Sequence, residues 1–276
     1  MKTVLLPDGE KVPALGQGTW MIGERPDRRA QEIAALRTGV ESGMTLIDTA
    51  EMYGDGAAEM LIAEALGKVR DTLFLVSKAY PQNASRLRLP QACEASLKRL
   101  GTDRLDLYLL HWRGSVPLGE TIEAMEALKT AGKIRHWGVS NLAMEDMEEL
   151  VAVGGGACAT DQILYNLTRR GPEHDLLPWL ADHAMPVMAY SPVEQGRLVA
   201  APFLTQIAER MSATPVQVAL AWTLRRDGVI AIPKASSAAH VRENRQAADL
   251  VLPEEVLTAL DAAFPPPRGR RPLEML

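Results

Sequence analysis

Four residue types able to move protons stand at intervals in the first half of the chain. The stretch Thr45–Gly54, TLIDTAEMYG, begins as a short apolar run and reaches a carboxylate at Asp48, then a phenol at Tyr53 followed by Gly54. The apolar run Leu73–Lys78 ends in an amine, and Leu105–His111 ends in an imidazole followed by Trp112. A strand that leaves a core and ends in a polar group mounts a reactive side chain on a rigid element. Singly, such residues have ordinary readings: an acid at a strand end is more often a cap or ion-pair partner, and a tyrosine more often packing. Acid, amine and imidazole on three successive strands, aimed at one mouth, are not what those ordinary roles produce. Together they suit general acid–base chemistry.

The elements that must carry these residues follow from hydrophobic periodicity. Thr3–Leu6 and Lys11–Pro13 flank the turn signal Pro7-Asp8-Gly9, which predicts a β-hairpin ahead of the main fold. Short apolar strands then begin near residues 15, 46, 73, 105, 134, 160, 186 and 229. Helical stripes lie between them, for example Ile33-Leu36-Val40 and Cys93-Leu97-Leu100, closed by Gly43 and Gly101. The spacings are roughly 26 to 32 residues, stretching to roughly 43 after the seventh strand, where extra helices are expected. Fully buried parallel strands read as such runs. Eight βα units in 276 residues predict one (β/α)8 barrel domain over residues 1–276, with further helices after the seventh strand and at the C-terminus. A doubly wound open sheet is weakened by the lack of a G-x-G-x-x-G turn after any early strand.

In such a barrel the chemistry sits at the C-terminal strand ends. Those ends carry Thr19-Trp20, Asp48, Lys78, His111-Trp112, Ser140-Asn141, Gln162 with Asn166, Tyr190-Ser191 and Lys234. Composition narrows the function further. Hydrophobic content is 47%, charged content 24% and net charge −5, which fits a soluble globular protein and argues against a nucleic-acid binder. No apolar run is long enough for a membrane span, and no signal peptide is evident. Cys93 and Cys158 form no CxxC pair, and buried free thiols point to a cytoplasmic protein. Five histidines without an HxH at a strand end leave little room for a metal-dependent hydrolase, so no metal is expected; His136, His174 and His183 read as ordinary surface or core residues.

In order and spacing, Gly18-Thr19-Trp20, LIDTAEMYG, Val76-Ser77-Lys78, Asp103–Trp112, GVSN (Gly138–Asn141), AYSP (Ala189–Pro192) and IPK with REN (Ile232–Lys234, Arg242–Asn244) resemble an aldo-keto reductase over almost the whole chain. The resemblance implies a catalytic tetrad of Asp48, Tyr53, Lys78 and His111, and NADPH-dependent reduction of aldehydes and ketones without a metal. Tyr53 would donate the proton. A phenol with a pKa near 10 is a poor acid at neutral pH, and the ammonium of Lys78 would lower its barrier by stabilising the phenolate. Asp48 would keep Lys78 charged, and His111 would hydrogen-bond the carbonyl oxygen.

The resemblance also implies the cofactor contacts. Gly18, Thr19, Trp20 and Asp48 would border the cofactor, Tyr190 would stack on the nicotinamide, and Ser140, Asn141 and Gln162 would bond its carboxamide. Ser191, Pro192, Val193, Gly196 and Arg197 fall where a pyrophosphate-covering loop begins; Gly196 permits close backbone approach and Arg197 could meet a phosphate. Lys234 would meet the 2′-phosphate with Ser236 beside it, and Glu243 and Asn244 the adenine. His240 departs from the pattern, standing where relatives often have an arginine. Without that guanidinium NADPH remains favoured, with weaker discrimination against NADH.

Trp20, Met21, Tyr53, His111 and Trp112 would line an apolar substrate mouth, while Trp137, Trp179 and Trp222 read as core. Arg113 follows Trp112 where proline is frequent in relatives; a guanidinium there would favour carboxylated or dicarbonyl substrates. A short tail, Phe264–Leu276, implies an open site suited to small aldehydes, 2-oxoaldehydes or sugar-derived carbonyls. The expected partner is a small carbonyl compound acting on a monomer. The competing reading is a cofactor-sensing subunit with little turnover; the complete tetrad argues against it.

Overall fold

The computed structural model describes residues 1–276. The strands β1 (Thr3–Leu5) and β2 (Lys11–Pro13) pair antiparallel around a turn in which Gly9 N–H donates to the Leu6 carbonyl. Then come β3 (Gln17–Gly18), β4 (Leu46–Asp48), β5 (Phe74–Ala79), β6 (Leu105–Leu110), β7 (Ile134–Ser140), β8 (Asp161–Leu164), β9 (Val187–Tyr190) and β10 (Val229–Ala231). These eight form one sheet in sequential order, every pair parallel. The sheet closes on itself, because Leu15 bridges Ala231 and Gly18 bridges Lys234. Gly16 N–H donates to the Ala231 carbonyl at 2.9 Å and Gly18 N–H to the Pro233 carbonyl at 3.1 Å. A Cβ at Gly18 would lie 2.7 Å from the Ile232 carbonyl oxygen, so glycine is what lets this seam shut. The result is a (β/α)8 barrel.

The first barrel strand starts at Gln17 rather than near residue 15, and the last stops at Ala231, short of the expected end at Lys234. Pro233 has no N–H to offer a ladder, and Lys234 stands beyond it in the single bridge to Gly18. The outer layer is α1 (Arg29–Glu41), α2 (Ala57–Leu66), α3 (Arg88–Leu100), α4 (Leu118–Thr130), α5 (Met144–Ala152), α6 (Leu176–Asp182), α8 (Pro215–Leu224) and α9 (Ala238–Ala247). The long seventh unit holds the additional α7 (Pro202–Arg210), and α10 (Glu254–Ala263) follows the barrel with Glu254 and Glu255 in its first turn. Thr214 caps α8, accepting from Gln217 N–H at 3.2 Å ahead of Pro215.

The barrel wall divides the core in two, and strand alternation decides which half each side chain enters. Leu46, Phe74, Val76, Leu107, Leu109, Met188 and Ile230 fill the interior cluster. Ile47, Leu75, Tyr108, Leu110, Trp137, Val139 and Ile163 pack outward against the helices. Asp48 shares the parity of Leu46, Lys78 that of Phe74 and Val76, and His111 that of Leu107 and Leu109. Each ionisable residue is therefore the uppermost inward position of its strand. At the opposite end His136, on β7, lies between the hairpin acids, with Nε2 2.7 Å from Glu10 and Nδ1 3.5 Å from Asp8. Arg135 also bonds Glu10 at 2.7 Å, so this group pins the hairpin across the barrel floor. Trp137 and Trp222 are fully buried. Trp179 is only half-buried, stacked on His183 at 3.8 Å, because α6 turns that face toward solvent.

Candidate active site

The ends of the strands surround a cleft of about 970 Å³. Lys78 stands at its base, fully buried, and uses all three of its donors. Its Nζ donates to Asp48 Oδ2 at 2.8 Å, to the Thr49 carbonyl at 2.8 Å and to Tyr53 Oη at 3.0 Å. The other Asp48 oxygen accepts from Gln162 Nε2 at 2.8 Å, and Thr19 Oγ1 donates to the Asp48 carbonyl at 2.9 Å. Tyr53 opens a 3-10 turn, Tyr53–Gly56, in which Gly54 has φ +57. A Cβ on Gly54 would meet Glu24 at 2.8 Å, so this turn suits glycine twice over.

Because Tyr53 Oη accepts a hydrogen bond from Lys78, its own O–H is free to point into the cleft. Burial pushes the phenol up; Lys78 pulls it down, as expected, without fully offsetting that, and the phenol stays above its ordinary value. Lys78 is drawn down by burial but raised further by Asp48 and then by Tyr53, leaving it above its ordinary value. The resting site is thus an ammonium beside a neutral phenol. His111 packs edge-on to Tyr53 with ring centroids 5.8 Å apart. Burial first, and the charge of Lys78 second, lower its imidazole to about 3. His111 Nδ1 is buried without a partner, which leaves Nε2 as the nitrogen reaching the cleft. A neutral imidazole in that setting donates Nε2–H to an oxygen placed there.

The polar residues beside Tyr190 bond one another. Tyr190 Oη donates to Asn141 Oδ1 at 3.0 Å, Asn141 Nδ2 donates to the His111 carbonyl at 3.1 Å, and Ser140 Oγ donates to the Gln162 carbonyl at 2.8 Å. Beyond them the cleft runs along Ser191, Pro192, Val193 and Gly196 to Lys234, His240, Glu243 and Asn244. Gly18, Thr19 and Trp20 form the facing wall, and Met21, Met52 and Trp112 complete the wider end. Lys234 is exposed and forms no ion pair within the chain. Beside it the hydroxyl of Ser236 is buried and unpartnered, and Ser237 caps α9, accepting from His240 N–H at 3.3 Å. An unpaired cation at a helix N-terminus, with a spare hydroxyl behind it, fits a phosphate group.

Four expectations need correction. Arg197 is not on the cleft wall; its exposed side chain leans back to Glu194 at 3.4 Å. Ser236 lies behind the wall rather than on it. Arg113 is turned away from the mouth and held by Asp146 and by Glu149, the latter at 2.8 Å, both on α5, so it offers a substrate no free charge. The tail does not leave the site open either, since Met275 and Leu276 reach the cleft. Sequence reasoning also missed Thr49, which acts through its carbonyl, and Glu194, whose buried carboxylate anchors the loop after β9. A carbonyl gives no residue-type signal. An acid in a loop beside glycine reads as solvated.

Residues 14–264 match the family described as the aldo/keto reductase family. Methylglyoxal reductase YeaE of Escherichia coli (strain K12) is 52% identical over 271 residues, which cover 96% of this chain and 95% of that protein. Glyoxal reductase of Bacillus subtilis (strain 168) is 32% identical over 275 residues, covering 99% and 97%. A crystal structure of an aldo/keto reductase from Klebsiella pneumoniae in complex with NADP and acetate is 50% identical, with a TM-score of 0.97 over 100% of this chain and 99% of that one.

Proposed function

The chain belongs to the aldo/keto reductase family, and from that premise we propose that it is an NADPH-dependent reductase of small uncharged aldehydes and 2-oxoaldehydes of the methylglyoxal and glyoxal type. The observation that carries the reading is the donor arrangement of Lys78, which orients the Tyr53 O–H into the cleft beside His111. When bound, NADPH supplies the hydride. Tyr190, Ser140, Asn141 and Gln162 border the nicotinamide end, and Lys234 with the first turn of α9 takes the 2′-phosphate. His111 Nε2–H holds the carbonyl oxygen. As hydride reaches the carbonyl carbon, the Tyr53 proton passes to that oxygen and the phenolate left behind is stabilised by Lys78 at 3.0 Å.

Charge at the wider end narrows the substrate. Trp20, Met21, Met52, Trp112, Met275 and Leu276 present apolar side chains there. With Arg113 already paired, a carboxylate on the substrate would be desolvated without a counter-charge, which is costly. Neutral dicarbonyls fit, whereas sugar acids fit poorly. Buried free thiols accord with a cytoplasmic protein: burial raises Cys93 and Cys158 to about 12, so both stay protonated. No helix is long and apolar enough to cross a membrane.

The test is NADPH oxidation against a panel of methylglyoxal, glyoxal, simple aldehydes and 2-oxo acids, with NADH in parallel. Turnover is expected with the neutral compounds and at least about tenfold lower kcat/KM with the acids. Tyr53→Phe should abolish nearly all turnover while leaving NADPH affinity intact. Near-normal turnover in that variant would remove Tyr53 as proton donor.

A further inference from the structure

The loop after β9 is held in a strained shape by one buried acid. Ser191, Glu194 and Gln195 all adopt left-handed backbone angles, with φ of 47°, 51° and 55°. Such angles in non-glycine residues persist only where the surroundings fix them. Here Glu194 does the fixing, and its residue exposure is only 5%. Its Oε2 accepts from Asn166 Nδ2 at 2.8 Å, and its Oε1 accepts from Arg169 Nη2 at 2.7 Å and Nε at 3.1 Å. Asn166 Nδ2 also donates to the Ser191 carbonyl at 2.9 Å.

Arg169 has one further nitrogen, and it serves a different segment. Its Nη1 donates to Glu274 at 2.5 Å, 105 residues along the chain. Glu274 directly precedes Met275 and Leu276, the tail residues on the cleft wall. Upstream the tail is clamped again, by Arg270 to Glu145 and, at 3.0 Å, to Asp175. A single planar guanidinium therefore spans the carboxylate that shapes the cofactor-side loop and the carboxylate that seats the substrate-side tail. A lysine could not do this, since its compact ammonium lacks the rigid fork.

We propose that Arg169 is a positioning residue that couples the two walls of the cleft, so that settling the loop Ser191–Gly196 on the cofactor also seats Met275 and Leu276 for the carbonyl substrate. The inference rests on the NADPH-dependent reading above and adds to it a residue that touches neither cofactor nor substrate. The two arms differ in strength. The Glu194 side chain is 6% exposed and that of Glu274 49% exposed, so the tail arm is the weaker and more adjustable one.

The test combines hydrogen–deuterium exchange with kinetics on the full chain. In the parent protein, NADP⁺ should slow exchange both in the loop 191–200 and in the tail 270–276. In Glu274→Gln the loop response should remain while the tail response falls by at least about half, and KM for methylglyoxal should rise about three- to tenfold with kcat and NADPH Kd within about twofold. Arg169→Gln should weaken both responses and raise both KM and Kd, and Arg169→Lys should fail to restore the tail response. A merely structural contact would lower thermal stability without this split. A loop that responds alone in the parent protein, or a tail response and KM unchanged in Glu274→Gln, would overturn the coupling. Silence of both segments with NADPH turnover intact would overturn the coupling alone, whereas silence without NADPH binding or turnover would overturn the cofactor reading as well.

Discussion

Replacing Lys78 by methionine removes a charge while nearly preserving volume, and the structure sets the size of the effect. The ammonium lies 3.0 Å from Tyr53 Oη. A unit charge pair at that distance is worth roughly 5 kcal/mol at an effective dielectric of about 20. That sets a ceiling near four decades on the rate lost when the phenolate develops unassisted, at about 1.4 kcal/mol per decade. Water entering the gap recovers part of it, so kcat should fall on the order of 10³-fold. The same change strands Asp48, which is 2% exposed, and an uncompensated buried charge costs about 3–5 kcal/mol of stability. The double variant Asp48→Asn/Lys78→Met separates these effects, because the asparagine oxygen can still accept from Gln162 Nε2. Calorimetry should show most of the stability restored, and steady-state NADPH oxidation should show kcat still depressed. A double variant that regains both stability and turnover to within tenfold of the parent would refute the reasoning and reduce Lys78 to the structural partner of Asp48.

Three further outcomes follow from the electrostatics of the cleft. His111 is lowered to about 3 by burial and by Lys78, so it should stay neutral across the working range and kcat/KM for reduction should show no break between pH 5.5 and 8. Its folded value lies below the unfolded value near 6.5, so the unfolded chain binds the extra proton: the stabilisation is whole above about pH 6.5 and declines toward pH 3, by about 1.4 kcal/mol per pH unit crossed. Acid-unfolding curves of the parent and His111→Gln should differ in that window. At the other end, His240→Arg should place a fixed guanidinium in the first turn of α9 near the unpaired Lys234, tightening NADPH by about tenfold while leaving NADH nearly unchanged; equal changes in the two Kd values would remove His240 from the phosphate site.

Much of the site could be read from the chain because strand parity is a local property. Leu46-Ile47-Asp48 and Val76-Ser77-Lys78 alternate within three residues, so sequence spacing alone places Asp48 and Lys78 on one inward layer. The partners were less visible. Arg113 looks free until α5, 33 residues on, brings Asp146 and Glu149 beside it. Glu274 meets Arg169 from 105 residues along the chain, and no local pattern announces such a pair. The last strand stops at Ala231 because Pro233 interrupts its ladder, a signal that was present in the sequence and outweighed by the apolar run around it. The raised phenol of Tyr53 depended on burial depth, which residue types do not carry.

The inward alternation has a consequence for how such a protein can change over time. Leu46, Val76 and Leu109 fill the barrel beneath Asp48, Lys78 and His111, and their substitution would be felt as lost folding. The layer above is addressed one strand at a time: each uppermost inward side chain can be exchanged without shifting the register of its neighbours, because the apolar residues beneath it and the connecting turns set that register. A lineage can therefore try new chemistry at the rim on an inherited register, provided that buried partners such as Asp48 and Lys78 change together. Only a gain or loss of a single residue inside a strand would turn the rim inside out, aiming Asp48 or Lys78 into the helix layer, and such an event should be far rarer in descendants than any exchange of residue type.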